Sequence, residues 1–382
     1  MIKTKEGTKA IAEMVVNCKP EVVACYPITP TTGVATELNQ YYADGLLKEY
    51  ITVEAEFSAI SSLVGASAAG ARTFTVTGGQ GLLYMHEVIV SIPGMRLPIV
   101  IVNGNRAVSS PLNIWNDEQD SILQRDAGWI QLYCKSIQEA VDSVPQAFYI
   151  AEKAMLPVMI CIDGHYLTHA VEQVDVADAK AVDEFLPAFR PAMKLDPENP
   201  VSLGVYANPS YYQDFREDLV KDLEGSKKII VEAGKKWGKL TGREYGLVHG
   251  HMAKDAERVI VGLGSAMDNA IAVVNELRRK GEKVGALHIR SFRPFPREEI
   301  RAMLAGKKVG VIDRALSVGS QAPLYIEVQE ALAGTNAEVS SFYGGLGGRG
   351  IKRVLVADLF EKLKKGPSKG WIASSGKELP LK

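Results

Sequence analysis

The chain has 382 residues, of which 46% are hydrophobic and 23% are charged, and its formal net charge is -1. At roughly 150 residues per domain, this length predicts two or three domains. The near-neutral charge argues against nucleic acids and anionic membranes as partners, and no apolar run approaches the roughly 20 residues of a membrane helix. The first residues also lack the apolar segment of a signal peptide, so we expect a cytoplasmic protein.

The four cysteines are isolated from one another, and each lies in apolar or strand-like sequence: Cys18, Cys25, Cys134 and Cys161. No Cys-x-x-Cys motif occurs. This pattern favours core thiols in a reducing compartment over metal ligands. We therefore expect no zinc or iron–sulfur framework in the chain itself.

In the first part of the chain, short apolar runs alternate with helical patterns. The sequence predicts strands near residues 21–26, 50–53, 72–77, 97–103, 130–133 and 157–163, and helices near residues 8–16, 32–43, 54–71, 82–92 and 137–152, the last with a kink or a restart at Pro145. This alternation is typical of right-handed βαβ units and predicts an α/β fold with a parallel sheet. We place the end of this first domain, residues 1–172, where the pattern stops.

Two prolines, Pro27 and Pro30, follow the first predicted strand and impose an extended, rigid turn. Thr29 lies between them. A turn residue that satisfies the backbone and a hydroxyl that faces a ligand explain this threonine equally well. The residue pattern leaves both interpretations open.

The helix after residue 53 is crowded with small side chains, and its first turn carries Glu54 and Glu56. Glycine costs helix stability, so this composition indicates close approach by another backbone or subunit. A carboxylate in the first turn is favoured by the helix dipole, and that role alone accounts for most such glutamates. The local pattern does not distinguish Glu56 from them.

A glycine-rich turn, Gly78-Gly79-Gln80-Gly81, joins a predicted strand to a helix. Such a turn can expose N–H groups to an anion. However, it lacks the lysine of a phosphate-binding loop and the spacing of a dinucleotide fingerprint. Tight packing is therefore the favoured reason for its glycines.

Residues 104–129 form a long segment without a regular pattern, directly after a buried strand. Long loops are uncommon in compact domains and are usually functional or disordered. The Trp, Ile and Leu content of this loop argues against disorder. Because open α/β sheets bind ligands at the carboxyl ends of their strands, we predict an anion-handling active-site loop with Arg106 at its root.

The second half of the chain changes character twice. Residues 173–249 are first rich in proline and then charged and helical, which predicts a connector with helices. Residues 250–382 then predict a second α/β domain, with strands near residues 257–265, 284–289, 309–313 and 338–342. Its first strand ends in half of a dinucleotide fingerprint, which is only a weak indication of NAD because the third glycine is missing.

Taken together, the motifs resemble those of the α subunit of 2-oxoacid:ferredoxin oxidoreductases, and most closely the pyruvate:ferredoxin oxidoreductase (pyruvate synthase) branch. The resemblance covers essentially the whole chain in order. The segments that carry it are 26–30, Glu56 with 65–71, 80–82, 94–98, 105–107, 113–117, 124–126, 128–131, 163–164, 293–296 and 344–350.

The resemblance implies a thiamine diphosphate enzyme made of several chains. The first domain would be of the pyrimidine-binding type, and the last would be a transketolase C-terminal-like α/β domain. A separate β chain would hold the cofactor's diphosphate with Mg²⁺, and a small ferredoxin-like chain would carry the [4Fe-4S] clusters. Subunits of the β, γ and δ types are therefore the implied partners, with ferredoxin as the electron acceptor.

Residue roles also follow from the resemblance. Glu56 matches the catalytic, cofactor-binding glutamate that hydrogen-bonds N1′ of the pyrimidine, a contact that favours the imino tautomer needed for catalysis. Thr29 and Arg106 match the residues that bind the substrate carboxylate, to which a two-pronged guanidinium is suited. Four polar residues downstream would shape the pocket without a chemical role: Asn113, Asn116, Asp117 and Asp120.

The implied reaction is the reversible, thiamine-dependent oxidative decarboxylation of pyruvate with CoA to acetyl-CoA, CO2 and reduced ferredoxin. Thr29, a small neutral residue, leaves space for the methyl end of pyruvate and disfavours a dianion. Two alternatives remain open. The same chemistry could act on a branched-chain 2-oxoacid or 2-oxoglutarate, or the chain could be a structural subunit whose partners hold all the chemistry.

Overall fold

The computed structural model describes residues 2–372, which contain two α/β units. Up to residue 175, the strands are β1 (Ile2–Glu6), β2 (Val22–Cys25), β3 (Tyr50–Thr52), β4 (Thr73–Thr77), β5 (Val100–Asn105), β6 (Ile130–Cys134), β7 (Val158–Asp163) and β8 (Val171–Asp175). The helices of this part are α1 (Gly7–Asn17), α2 (Thr32–Ala43), α3 (Glu56–Ala68), α4 (Gln80–Tyr84), α5 (His86–Ser91), α6 (Gln119–Ile122) and α7 (Ile137–Ala154).

After residue 175, two helices precede the second unit: α8 (Ala179–Phe185) and the long α9 (Pro209–Thr241). The strands that follow are β9 (Val248–His251), β10 (Arg258–Gly262), β11 (Val284–Ile289), β12 (Ser291–Arg293), β13 (Lys308–Asp313), β14 (Glu338–Tyr343) and β15 (Lys369–Trp371). The helices are α10 (Ala266–Arg279), α11 (Arg297–Leu304), α12 (Pro323–Ala331) and α13 (Arg353–Lys364), with a 3₁₀ turn at Leu346–Gly348.

The first sheet has seven strands in the order β12-β6-β7-β5-β4-β2-β3. All its pairs are parallel except β12 with β6. Every residue of β4, β5, β6 and β7 is buried, as expected of a parallel sheet that is covered on both faces. The predicted parallel α/β sheet is confirmed, and the exits of β7, β5, β4 and β2 lie side by side along one edge.

The second sheet has six strands in the order β15-β14-β13-β10-β11-β9. Its pairs are parallel apart from the edge strand β9, which runs antiparallel to β11. The connector predicted over residues 173–249 begins inside β8, which pairs antiparallel with β1, and continues through α8 and α9. The division at residues 172 and 249 remains a prediction.

The two α/β units share an apolar interface. The short strand β12, from the second half of the sequence, pairs with β6 of the first sheet. The rings of Tyr133 and Phe292 meet there edge to face, with centroids 5.8 Å apart. Both belong to one buried cluster that also includes residues from β10 and β11, so the second unit is held against the first by burial of apolar surface.

Two local expectations differ from the structure. Helix α7 does not restart at Pro145 but continues through it, although proline removes a helical hydrogen bond. Almost all of its residues from Ile137 to Ala151 are buried, and tertiary packing of this kind outweighs local propensity. The helix predicted over residues 82–92 is instead two short helices, α4 and α5.

All four cysteines are buried with free thiols, as the sequence predicted. Within residues 2–372, none of the helices combines the length and the apolar character that crossing a bilayer requires.

Candidate active site

The exits of neighbouring parallel strands approach each other closely because glycines stand at the contacts. A Cβ added at Gly78, after β4, would lie 2.4 Å from the carbonyl oxygen of Gly104 in β5. A Cβ added at Gly164, after β7, would lie 2.5 Å from the carbonyl oxygen of Asn105. No side chain fits at such distances, so these glycines allow the sheet edge to close into a compact site.

The structure brings two of the predicted site residues together. The Nη1 of Arg106 donates to the carbonyl oxygen of Thr29 over 3.0 Å, and its Nε donates to the carbonyl oxygen of Asn113 over 3.3 Å. The Arg106 side chain is nearly buried, and its Nη2 makes no hydrogen bond within the part of the chain that the structure describes. One side of the guanidinium is therefore fixed by main-chain carbonyls, while donors remain for an anion.

Glu56, the third predicted site residue, is the first residue of α3 and is only 7% exposed. Its carboxyl group has no hydrogen-bond or ion-pair partner among residues 2–372. A Cβ added at Gly81 would lie 2.5 Å from its Oε1. A buried carboxyl group without a protein partner is costly, so this arrangement is suited to a ligand that offers a hydrogen-bonding atom.

The glycine turn separates Glu56 from Arg106 and contacts both. Gly79 adopts a positive φ of 58°, and a Cβ added to it would lie 2.9 Å from Cδ of Arg106. A side chain at position 79 would therefore displace Arg106, and one at position 81 would displace the Glu56 carboxyl group. The interpretation of these glycines as packing residues is confirmed.

Asp120 organises the same region, and sequence reasoning assigned it no more than a pocket-shaping role. Its fully buried carboxylate accepts hydrogen bonds from the backbone N–H of Gly79 (2.8 Å) and of Arg106 (3.1 Å). Three further donors surround it: Asn103 Nδ2, Asn105 Nδ2 and the Ser121 N–H. Burial raises the pKa of Asp120 to about 7, and the hydrogen bonds from Gly79 and Asn103 oppose that rise.

A buried ionic cluster joins the second unit to the loop that carries Arg106 and to the end of β7. Arg314, after β13, pairs with Asp163 at the end of β7, and Asp163 also accepts the Ser265 N–H over 2.9 Å. Glu118 of the active-site loop lies 3.9 Å from the same guanidinium. Burial holds the pKa of Glu118 well above its ordinary value, and Arg314 counteracts this. Charges from both units thus share one desolvated space.

The other predicted pocket residues contact the loop after β14. The carbonyl oxygen of Asn116 accepts from the Gly348 N–H (2.6 Å), and Asp117 accepts from the Gly347 N–H (3.1 Å). The side chain of Asn113 donates to the Gly347 carbonyl oxygen (3.2 Å). These residues therefore attach the active-site loop to the second unit. Over residues 2–372, no group of three or more His, Cys, Asp or Glu side chains is arranged to hold a metal ion.

Solved structures share this architecture. The 2-oxoglutarate:ferredoxin oxidoreductase from Magnetococcus marinus superimposes with a TM-score of 0.72 at 18% identity, over 95% of this chain and 65% of that chain. A split-gene transketolase superimposes with a TM-score of 0.55 at 14% identity, over 95% of this chain and 99% of that chain. The fold is therefore that of thiamine diphosphate enzymes of the transketolase and 2-oxoacid oxidoreductase type, as predicted.

Sequence comparison identifies the family. Residues 13–235 match the family described as pyruvate flavodoxin/ferredoxin oxidoreductase, thiamine diphosphate-binding, and residues 256–355 match pyruvate:ferredoxin oxidoreductase core domain II. Pyruvate synthase subunit PorA of Methanothermobacter thermautotrophicus is 45% identical over 95% of both chains. Ketoisovalerate oxidoreductase subunit VorA of Pyrococcus horikoshii is 39% identical over 98% of this chain and 95% of that chain. This chain belongs to the pyruvate flavodoxin/ferredoxin oxidoreductase family, and its first part is a thiamine diphosphate-binding domain.

Replacing Asp120 by asparagine is expected to destabilise the protein, because the amide NH2 would face N–H donors and leave at least one of them unpaired. An unsatisfied buried donor costs about 1–3 kcal/mol, which urea or thermal unfolding measures. Asp126→Asn is the matched control: the Asp126 side chain is 79% exposed, so we expect a change within about 0.5 kcal/mol. Equal effects of the two substitutions would contradict the organising role of Asp120.

Proposed function

We propose that this chain is the α subunit of a pyruvate:ferredoxin oxidoreductase. The complex would convert pyruvate, CoA and oxidised ferredoxin into acetyl-CoA, CO2 and reduced ferredoxin, and the reaction would be reversible. The observation that carries this proposal is the buried carboxyl group of Glu56, which has no partner among residues 2–372 and is separated from Arg106 only by a glycine turn.

The residues present fit thiamine diphosphate. When bound, this cofactor supplies a carbon nucleophile and an electron sink for decarboxylation of 2-oxoacids. Glu56 would hold a proton between its carboxyl group and N1′ of the pyrimidine, in a position that is largely closed to water. Gly81 lets the backbone of the turn lie directly against the carboxyl group, where a side chain would clash with it.

Arg106 and Thr29 would bind the carboxylate that all 2-oxoacids share. The guanidinium of Arg106 is oriented by two carbonyl oxygens, and its remaining donors suit a carboxylate. Holding that carboxylate would place the keto carbon of the substrate in a fixed position for reaction. The half-buried Thr29 adds a hydroxyl without a charge, which favours a monoanionic 2-oxoacid.

The proposal includes partner chains. A β-type chain would hold the diphosphate with Mg²⁺, a ferredoxin-like chain would carry [4Fe-4S] clusters, and γ- and δ-type subunits would complete the complex. Support comes from relatives that are themselves named as subunits. The buried free thiols, such as Cys18 and Cys25, fit a reducing cytoplasm.

A second candidate keeps the chemistry and changes the acid. The VorA relative is named for ketoisovalerate and is nearly as similar to this chain as the PorA relative. A branched-chain 2-oxoacid is therefore the main competitor to pyruvate, and 2-oxoglutarate is less favoured because nothing cationic stands at position 29 to meet a second carboxylate.

The proposal is tested on the complex purified from its native source, with its co-purifying chains and iron content identified. We expect CoA-dependent ferredoxin reduction with pyruvate, at a kcat/KM at least tenfold above those for 2-oxoisovalerate and 2-oxoglutarate. If the complex preferred one of those two acids, that acid would replace pyruvate as the proposed substrate. Turnover of no 2-oxoacid would reject the function.

Glu56→Gln in the reconstituted complex should lower kcat by about 100-fold or more, because an amide cannot exchange the proton that general acid–base catalysis requires. Glu54→Gln is the matched control, since Glu54 is exposed and only two residues away; its kcat should stay within twofold of wild type. If Glu56→Gln turned over at the wild-type rate, this chain would contribute structure but no chemistry.

Arg106→Ala should raise the KM for the 2-oxoacid. Removing one partner of a buried charge pair costs about 2–5 kcal/mol, which corresponds to roughly 30- to 4,000-fold in KM. Arg106→Lys should restore only part of the affinity, since a point charge does not reproduce the guanidinium fork. Arg125→Ala, a partly exposed arginine later in the same loop, serves as control. An unchanged KM in Arg106→Ala would exclude Arg106 from the substrate site.

A further inference from the structure

His165 lies beside the site, and the proposed function does not use it. It follows β7 at the same sheet edge as Thr29 and Arg106. Its φ of 61° lies in the left-handed region that side chains rarely adopt, and its N–H donates to Thr168 Oγ1 over 2.8 Å. Non-glycine residues held in this region concentrate at functional sites, so His165 is a candidate for a role at this site.

The imidazole of His165 contacts the active-site loop. Its Nε2 lies 3.1 Å from the carbonyl oxygen of Ile114, and because a carbonyl only accepts, Nε2 carries the hydrogen and donates. The ring packs on Trp115 at a centroid distance of 4.4 Å and stacks on His169 at 4.8 Å. Burial lowers the pKa of His165, and the charges of His169 and Arg106 act in the same direction.

The loop residues that His165 contacts lie next to the one that orients Arg106. The carbonyl oxygen of Asn113, the residue before Ile114, accepts from Nε of Arg106. The carbonyl oxygen of Trp115, the residue after Ile114, accepts from the Ala107 N–H over 2.9 Å. The segment 113–115 is thus bound to Arg106 and Ala107 on one side and to His165 on the other. A shift of Ile114 would move both neighbouring carbonyls and turn the guanidinium.

We propose that His165 is a positioning residue for substrate binding. Its Nε2–H holds the Ile114 carbonyl, and thereby holds the Asn113 carbonyl at the place from which it orients the Arg106 guanidinium toward the carboxylate of the 2-oxoacid. This inference rests on the proposed function, because it requires that carboxylate to bind at Arg106. His165 acts through Arg106 and takes no part in the chemical steps.

The test compares His165→Phe with His165→Gln in the reconstituted complex, using the 2-oxoacid with the highest kcat/KM. Phenylalanine keeps a ring but removes the donor, whereas the glutamine amide can donate from near the position of Nε2. We expect His165→Phe to raise KM about fivefold, the effect of one net hydrogen bond, with kcat within twofold. His165→Gln should return KM to within twofold of wild type. His169→Phe changes an exposed histidine and keeps a ring at the position that stacks on His165, so it should change neither constant.

Hydrogen–deuterium exchange of residues 107–116 in the assembled complex provides a second readout that does not depend on turnover. Exchange should be faster in His165→Phe than in wild type and unchanged in His169→Phe. A wild-type KM in His165→Phe, a KM that glutamine fails to restore, or unaltered exchange would overturn the role of His165. Failure of the proposed function is recognised separately, because the wild-type complex would then turn over no 2-oxoacid.

Discussion

In the interior of the first unit, the carboxylate of Asp120 accepts hydrogen bonds from two of the strand exits that form the candidate site. The Gly79 N–H donates to it after β4, and the Arg106 N–H donates to it after β5. Burying a carboxylate is unfavourable unless donors surround it, and five do so here. Moving Gly79 or Arg106 would leave the buried carboxylate with fewer donors. Asp120 therefore fixes the position of the glycine turn beside Glu56 relative to Arg106.

The second unit supplies polar contacts that hold the long loop in place. Residues 113–120 include only the start of one short helix, so few hydrogen bonds within the loop hold it. Instead, Asn116 and Asp117 bind the 3₁₀ turn after β14, and Glu118 shares a desolvated space with Arg314 and Asp163. A loop that is fastened at many points to a rigid neighbour loses its conformational freedom on folding, before any ligand binds. The interface between the units therefore preorganises the site.

Periodicity and strand order predict the first sheet and place Arg106 at its carboxyl edge, because a parallel strand must end in a loop there. The partners of Asp120 do not follow from the sequence, since Gly79 lies 41 residues away and no local pattern encodes that contact. The pairing of β12 with β6 is also not visible in the sequence, because a strand of three residues is too short to show a periodic pattern. Glu56 resembles any first-turn glutamate in its local pattern; its burial without a protein partner becomes visible only when α3 packs against the glycine turn.

Main-chain carbonyls, from Thr29 and Asn113, orient the Arg106 guanidinium. A backbone acceptor is present whatever side chain stands at its position, so the direction of the guanidinium depends on the fold more than on the residues around it. In the proposed function, recognition of the carboxylate would therefore depend on the fold of this chain. The remainder of the substrate would be distinguished by side chains, of which Thr29 would be one. Such a division would allow relatives named for pyruvate and for ketoisovalerate both to align with this chain over almost its entire length.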